Sequence, residues 1–373
     1  MRIPLSSPDV TEQEIEAVGA VLRTPNLSLG PKVEEFEEAL SRYVGSKNAV
    51  GVNSGTAGLH LCVRALGISD GDEVLVPSFT FIAVANAVRY ERATPVFVDI
   101  DPETLNLDPS LLEQAITSRT RAIIIVHTFG VPADLSRVME IAKRRNLYVI
   151  EDACEAIGAE YDGRKVGAIG DIGVFGFYPN KQITTGEGGA VVSNDPNLVL
   201  KVRELHNQGR CDSNEWFRHS ELGYNYRISD INCALGIEQL KRIDAILDLR
   251  ESIANKYNQL LMCEPDLRVP QLVLPRRKIS WFVYVVLLSN RFNRIHRDRI
   301  VSEMKSRGIA VGRYFAPIHL QPIYLGTESG RTFLPVTESC ASRALALPFF
   351  NRIKESEIAE VCHALHELIL REP

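Results

Sequence analysis

Two hydrophobic periods alternate along this chain. Short, β-branched apolar runs recur at residues 49–53, 73–77, 95–98, 121–126 and 147–152, with two more just before Lys181 and at 189–193. Each has the length and composition of a strand buried on both faces. Between the first five runs, near 56–66, 80–91, 109–117 and 134–145, apolar residues return at three- and four-residue spacing, which predicts helices. Apolar strands joined by helices predict a mostly parallel sheet covered on both faces, with ligands outside the carboxyl ends of the strands.

The flanks differ. Thr11 and Glu14 have the S/T-x-x-E form of a capping box, with Ile15, Val18, Val21 and Leu22 following at helical spacing. A second helix runs through Phe36, Leu40 and Tyr43. From Ser229 to about Met262 the pattern is one long helix or two in tandem, and beyond it come a strand at 281–288, a helix near 297–307 and an amphipathic segment at 355–370. The expected architecture is therefore α/β: a large sheet domain with an N-terminal arm over residues 1–250, and a small C-terminal α+β domain over 251–373. No internal repeat interrupts it.

Charge and cysteines narrow the function. A net charge of −5 gives no reason to expect nucleic acid or an anionic membrane as partner, so any phosphate must be held by local geometry. The seven cysteines are scattered without a C-x-x-C pair, which argues for reduced thiols rather than a disulfide framework or zinc site. The opening Met1–Leu5 stretch has no apolar leader and no run is long enough to span a membrane, so a cytoplasmic protein is expected.

Four stretches carry candidate chemistry. An apolar run ends in Tyr178-Pro179-Asn180-Lys181, before a Gly-rich hairpin signal at 186–189. Most lysines are solvated, but apolar and aromatic neighbours would draw this one out of water and favour the neutral amine that forms a Schiff base. The first strand runs into Ser54-Gly55-Thr56-Ala57-Gly58, where a helix opens. Free N–H groups there suit a phosphate, although the same turn serves as a plain strand-to-helix connection capped by Ser54 or Thr56. Asp152 ends a buried strand. Such acids usually face water, but at a sheet's carboxyl edge a carboxylate meets ligands, and a pyridinium nitrogen would satisfy it. Phe81, after Pro77-Ser78-Phe79-Thr80, is either core or the stacking wall of a flat ring. A lysine for an aldehyde, an acid for a ring nitrogen, an anion cradle and an aromatic face together describe a site for pyridoxal 5′-phosphate. A P-loop is absent, as is G-x-G-x-x-G after the first strand.

The ordered motifs resemble the DegT/DnrJ/StrS family of sugar aminotransferases, within the fold-type-I pyridoxal-phosphate enzymes. They include Asn26-Leu27-Ser28-Leu29-Gly30-Pro31, Ser54-Gly55-Thr56-Ala57, Pro77-Ser78-Phe79-Thr80-Phe81, Glu151-Asp152-Ala153, Thr185-Gly186-Glu187-Gly188-Gly189, Gly223-Tyr224-Asn225-Tyr226-Arg227, and Tyr314 with Pro317-Ile318-His319. The resemblance implies that Lys181 forms the imine and later carries the proton, and that Asp152 holds the ring nitrogen protonated. It implies that the Gly55, Thr56 and Ala57 amides bind phosphate, that Phe81 stacks on the ring, and that Glu155 and Gly176 lie at the cofactor. Asn225 would reach the phosphate in a neighbouring subunit, making an obligate homodimer with shared sites. Ser28, Tyr314 and His319 would touch the sugar or the amino donor. The chain departs from the family's pattern in having Glu155 where Gln or His is common, Gly176 where Ser is common, and Gln208-Gly209 where His-Gly is common. A dehydratase branch replaces the lysine with His; Lys181 favours transamination. The activity implied is amino transfer from L-glutamate or glutamine to a keto-deoxysugar linked to a nucleotide, in polysaccharide or antibiotic biosynthesis. A ketocyclitol acceptor and a non-catalytic, cofactor-sensing regulator are the alternatives.

Overall fold

The computed structural model of the protein describes residues 1–211 and 218–372. Seven strands, β1 (Asn48–Val52), β2 (Glu73–Pro77), β3 (Thr94–Val98), β4 (Thr120–Val126), β5 (Tyr148–Asp152), β6 (Ile172–Gly176) and β7 (Gly189–Ser193), form one sheet. Their order is β1-β7-β6-β5-β4-β2-β3. All pairs from β6 to β3 are parallel, and β7 runs antiparallel to both of its neighbours.

Alternate residues of each strand feed cores on opposite faces, which is why both parities are apolar. One face is covered by α2 (Pro31–Val44), α6 (Leu135–Arg145) and α8 (Asp230–Lys241), through Phe36, Leu135 and Ile237. The other is covered by α3 (Gly55–Ala65), α4 (Ala83–Tyr90) and α7 (Pro196–Leu205), through Leu61, Val84 and Val202. The helix expected over 109–117 is a 3₁₀ turn, Pro109–Leu111, followed by the short α5 (Leu112–Ala115). In α1 (Glu12–Val21) the capping box forms, with the Thr11 N–H donating to the Glu14 carboxylate at 2.7 Å.

The long helical stretch is two helices in tandem. It breaks at Arg242 (φ −104°, ψ 2°), after which α9 runs over Ile243–Leu261. Residue 250 lies inside α9. Beyond it, β8 (Leu267–Arg268), β9 (Tyr284–Leu288) and β10 (Ala344–Leu347) make an antiparallel sheet in the order β8-β9-β10. With α10 (Arg294–Ser306) and α12 (Glu355–Arg371) they enclose a separate apolar cluster, which Ile3 of the N-terminal arm joins. Between them, α11 (Pro335–Arg343) is capped by Asp99, whose carboxylate accepts the Val336 and Thr337 N–H groups.

The strand expected at 281–288 starts only at Tyr284. Residues 280–282 leave the small sheet because other partners take their backbone. Arg250, buried in α9, donates from Nε to the Trp281 carbonyl at 2.6 Å and from Nη2 to the Phe282 carbonyl at 2.7 Å. Ser280 donates its N–H to Gly130 O at 3.0 Å. Gly130 has φ 87°, and a Cβ there would lie 1.7 Å from Ser280 O, so this approach admits only glycine. Among the described residues no helix is long and apolar enough to cross a membrane.

Candidate active site

Strand order brings the carboxyl ends of β1, β6 and β5 to one edge, with β7 starting between β1 and β6. A Cβ on Gly189, the first residue of β7, would sit 2.7 Å from Ser54 C and 2.8 Å from Gly55 N, so a bare backbone lets the β1–α3 turn close onto the sheet. Ser54 caps α3, its Oγ accepting the Ala57 N–H at 3.1 Å. Of the three amides expected to hold a phosphate, Ala57's is thereby taken. The Gly55 and Thr56 N–H groups, at the start of the helix, have no intrahelical acceptor.

Cys154 ties this turn to β5 and β6. A Cβ on Gly55 would come 2.8 Å from its sulfur, and one on Gly176 3.2 Å from the same atom. The Cys154 N–H donates to Asp152 Oδ1 at 3.0 Å, orienting the carboxylate at the end of β5. Burial pushes the Cys154 thiol far up, with Asp152 adding to the rise and Lys181 opposing it, so both charges lie near this side chain.

Lys181 sits on a loop closed at its base by Phe177 N–H to Gly188 O and Thr185 N–H to Phe177 O. Its side chain is only 15% exposed, with Nζ 3.6 Å from Glu155 Oε1 and 4.1 Å from the centre of the Phe282 ring. Glu155 is buried, and its second oxygen accepts the Phe129 N–H at 3.0 Å. Burial pushes its carboxyl above the usual range, and Lys181 and that N–H only partly offset it. The next residue, Gln182, bonds the Glu155 carbonyl at 2.7 Å and the Ser280 carbonyl at 3.0 Å. The lysine loop is thereby fastened to the segment that carries Phe282.

Behind Asp152 lies a second buried acid. Glu151 accepts N–H groups from Gly167 (2.7 Å), Ile169 (2.7 Å) and Gly170 (2.5 Å), and faces His127 Nε2 at 3.0 Å. His127 Nδ1 accepts the Ala133 N–H, so the ring hydrogen is on Nε2. Burial pushes the Glu151 carboxyl up, but the His127 bond and the backbone donors outweigh it and hold the group below the usual range.

The remaining expected residues divide. Phe81 is 61% exposed after β2, whereas Phe79 is core. Tyr314 lies parallel to Phe282, centroids 6.4 Å apart, and burial followed by the Glu155 charge pushes its phenol up. Ser28 is exposed, in a segment bridged to Ser229 and pinned by Asp230, which accepts the Gly30 N–H at 2.7 Å. Asn225 is exposed on an extended segment. His319 corrects the expectation of a substrate contact. It is fully buried, Nδ1 2.7 Å from Ser78 Oγ and Nε2 3.3 Å from Glu338, so it braces the loop after β2 instead of facing a ligand. Phe282, Arg250 and Gln182 were not singled out from the sequence, where Phe282 read as one more residue of a strand.

These residues fit pyridoxal phosphate. Free amides open α3, Asp152 has one N–H on a carboxylate with room for another donor, and Asn180 Oδ1 beside Lys181 is buried without a partner. A surface cleft of about 600 Å³ lined by Arg268, Leu288, Cys340 and Arg343 contains none of them. Sheet order, lysine loop and acid together define a fold-type-I pyridoxal-phosphate enzyme.

Comparison with known proteins sharpens that class. The DegT/DnrJ/EryC1/StrS aminotransferase family matches over residues 8–366, and the chain belongs to it. It is 40% identical to the GDP-perosamine synthase of Caulobacter vibrioides over 99% of both chains. Among solved structures it is similar to S. venezuelae DesV (TM-score 0.92, 36% identity, all of both chains). It is also similar to Helicobacter pylori PseC, an aminotransferase involved in pseudoaminic acid biosynthesis (TM-score 0.94, 28% identity, all of both chains). The protein is a pyridoxal-phosphate-dependent aminotransferase.

Proposed function

We propose that this aminotransferase moves an amino group from L-glutamate to the keto group of a nucleotide-linked deoxysugar, as an obligate homodimer with shared sites. The acceptor class is supported by relatives that include GDP-perosamine synthases from two bacteria. One observation carries the site assignment: the Lys181 amine is held between the Glu155 carboxylate and the Phe282 ring, on a loop fastened to the Asp152 edge of the sheet.

Lys181 would supply the amine that holds the cofactor covalently, and the Gly55 and Thr56 N–H groups would hold its phosphate at the start of α3. Asp152 would accept the ring N–H, Phe81 would cover a ring face, and Glu155 would lie near the phenolic oxygen. When bound, pyridoxal phosphate supplies an aldehyde carbon and an electron-withdrawing ring, and carries the amino group from donor to acceptor. With the cofactor bound, the Lys181 amine would be the group placed to remove the donor Cα proton and, in the return half-reaction, to deliver one to the acceptor carbon that receives nitrogen. Glu155, 3.6 Å away, keeps that amine from swinging into solvent between the two transfers. Asp152, as partner of the ring nitrogen, would stabilise charge mainly in the transition state. Tyr314 and Ser28 are the substrate-facing side chains, and Asn225 belongs to the neighbouring subunit's phosphate site.

The test is a panel of 3-keto and 4-keto sugars carried on UDP, dTDP and GDP, with glutamate and glutamine as donors, read by product mass. Amination of one of these with glutamate is expected. Turnover of a ketocyclitol alone, with every nucleotide sugar left intact, would replace the acceptor class.

A further inference from the structure

The cluster of His60, Glu91, Tyr224 and Tyr226 takes no part in the chemistry above, yet it grips the segment that carries Asn225. His60 lies on α3, the helix whose first amides face the phosphate, and it is buried. Its Nε2 is 2.7 Å from Glu91 Oε1 and its Nδ1 is 3.1 Å from the Tyr226 hydroxyl. One neutral ring satisfies both partners: Tyr226 O–H donates to Nδ1, and Nε2–H donates to Glu91. Burial holds His60 below its ordinary value, which keeps the ring in that neutral form. Glu91 also accepts from Arg64 at 3.0 Å and from the Tyr224 hydroxyl at 3.2 Å. The two tyrosine rings stack on one another, centroids 5.0 Å apart and 10° from parallel.

The backbone between those rings is extended and anchored on both sides. Tyr224 N–H donates to Leu205 O at 2.7 Å, Tyr226 N–H to His206 O at 2.9 Å, and Asn53 N–H to Tyr226 O at 2.8 Å. In an extended chain successive side chains alternate. With Tyr224 and Tyr226 turned toward α3, Asn225 is turned the other way, and it is exposed. Two buried groups, His60 and Glu91, and two half-buried tyrosines thus hold one exposed asparagine in a fixed direction.

We infer that His60, with Glu91, Tyr224 and Tyr226, positions Asn225 for the cofactor phosphate bound by a second copy of this chain. The inference rests on the shared-site reading above. It makes α3 serve two sites, its own through the first amides and the neighbour's through His60.

Mixed dimers test it. Wild-type chains, His60→Leu and Tyr226→Phe are each compared as homodimers and as two-tag dimers with a Lys181→Ala chain, and cofactor affinity is read from the absorbance of the lysine-bound form. In the mixed dimer the only lysine-bearing site takes its Asn225 from the Lys181→Ala chain, whose clamp is intact. Loss of an oriented bond to a charged group predicts about ten- to a hundredfold weaker cofactor binding in the variant homodimers, and full recovery in the mixed dimers. Tyr226→Phe removes a single hydroxyl and decides the matter if His60→Leu does not fold. Wild-type affinity in the Tyr226→Phe homodimer overturns the clamp, and so does a loss that persists in the mixed dimer. Asn225→Ala mixed with Lys181→Ala is the control: failure to recover there overturns the shared site itself, whereas recovery there alone overturns only the clamp.

Discussion

Asp152→Asn isolates the acid from everything around it. The substitution keeps the shape of the side chain, and the Cys154 N–H at 3.0 Å can still donate to the remaining oxygen. Strand pairing is untouched, because Asp152 pairs through its backbone with Val126 and Val174. What changes is the second oxygen, which becomes an N–H donor aimed where the ring nitrogen also donates. The site is buried, and removing one partner of a buried charge pair costs about 3–5 kcal/mol. At about 1.4 kcal/mol per factor of ten, the half-reaction should slow by roughly a hundredfold to several thousandfold. The assay is a single turnover: loaded enzyme is mixed with glutamate and no acceptor, and the cofactor's absorbance is followed as it takes the amino group. Cofactor retention, measured by dialysis, should also weaken because the bound ring loses the same partner, so the half-reaction is read on enzyme kept loaded with excess cofactor. A half-reaction within tenfold of wild type, in a variant that is folded and loaded, would refute the role given to Asp152.

Other expectations concern the lysine, a buried histidine and a close approach. Lys181→Ala should abolish transfer, and in the wild type borohydride should fix the cofactor on the peptide carrying residue 181; turnover in the variant or label elsewhere would count against the assignment. His206 is buried and its imidazole is pushed down to about 4, burial being the main cause. An unfolded chain takes up that proton near pH 6.5, so its contribution is whole above pH 6.5 and fades toward pH 4. The loss amounts to about 2 kcal/mol at pH 5, and urea titrations at pH 7.5 and 5.0 should show a smaller drop by that amount in His206→Leu. Gly130→Ala would force a Cβ against Ser280 O at 1.7 Å, breaking the contact that brings Phe282 to Lys181. A loss of about 3 kcal/mol or more in thermal or urea stability is expected, with weaker cofactor retention; a melting temperature equal to wild type would show that the approach relaxes freely.

Sequence alone was enough for the seven strands of the large sheet and for most of the helices that cover it, since hydrophobic period is a local property and needs no knowledge of distant segments; the helix at Pro196–Leu205 was not expected, and the one expected over 109–117 is a 3₁₀ turn and the short α5. The sequence also singled out Lys181, Asp152 and the Ser54–Ala57 turn as candidates for one site, because parallel strands joined by helices all end at one edge, so residues at their carboxyl ends share a surface whatever the strand order. Tertiary structure decided which ends are neighbours, by placing β7 antiparallel between β1 and β6. It also decided where the apolar run at 281–288 leaves its sheet: Arg250, Gln182 and Gly130 take the backbone of residues 280–282 and set Phe282 against Lys181. His319 and His60 make the same point from opposite sides. Each is a lone histidine in the sequence, and only packing against Ser78 in one case and Tyr226 in the other assigns its ring nitrogens. A periodic pattern states which face of an element is buried; which distant polar group meets it there depends on loop paths and close approaches that no local spacing encodes.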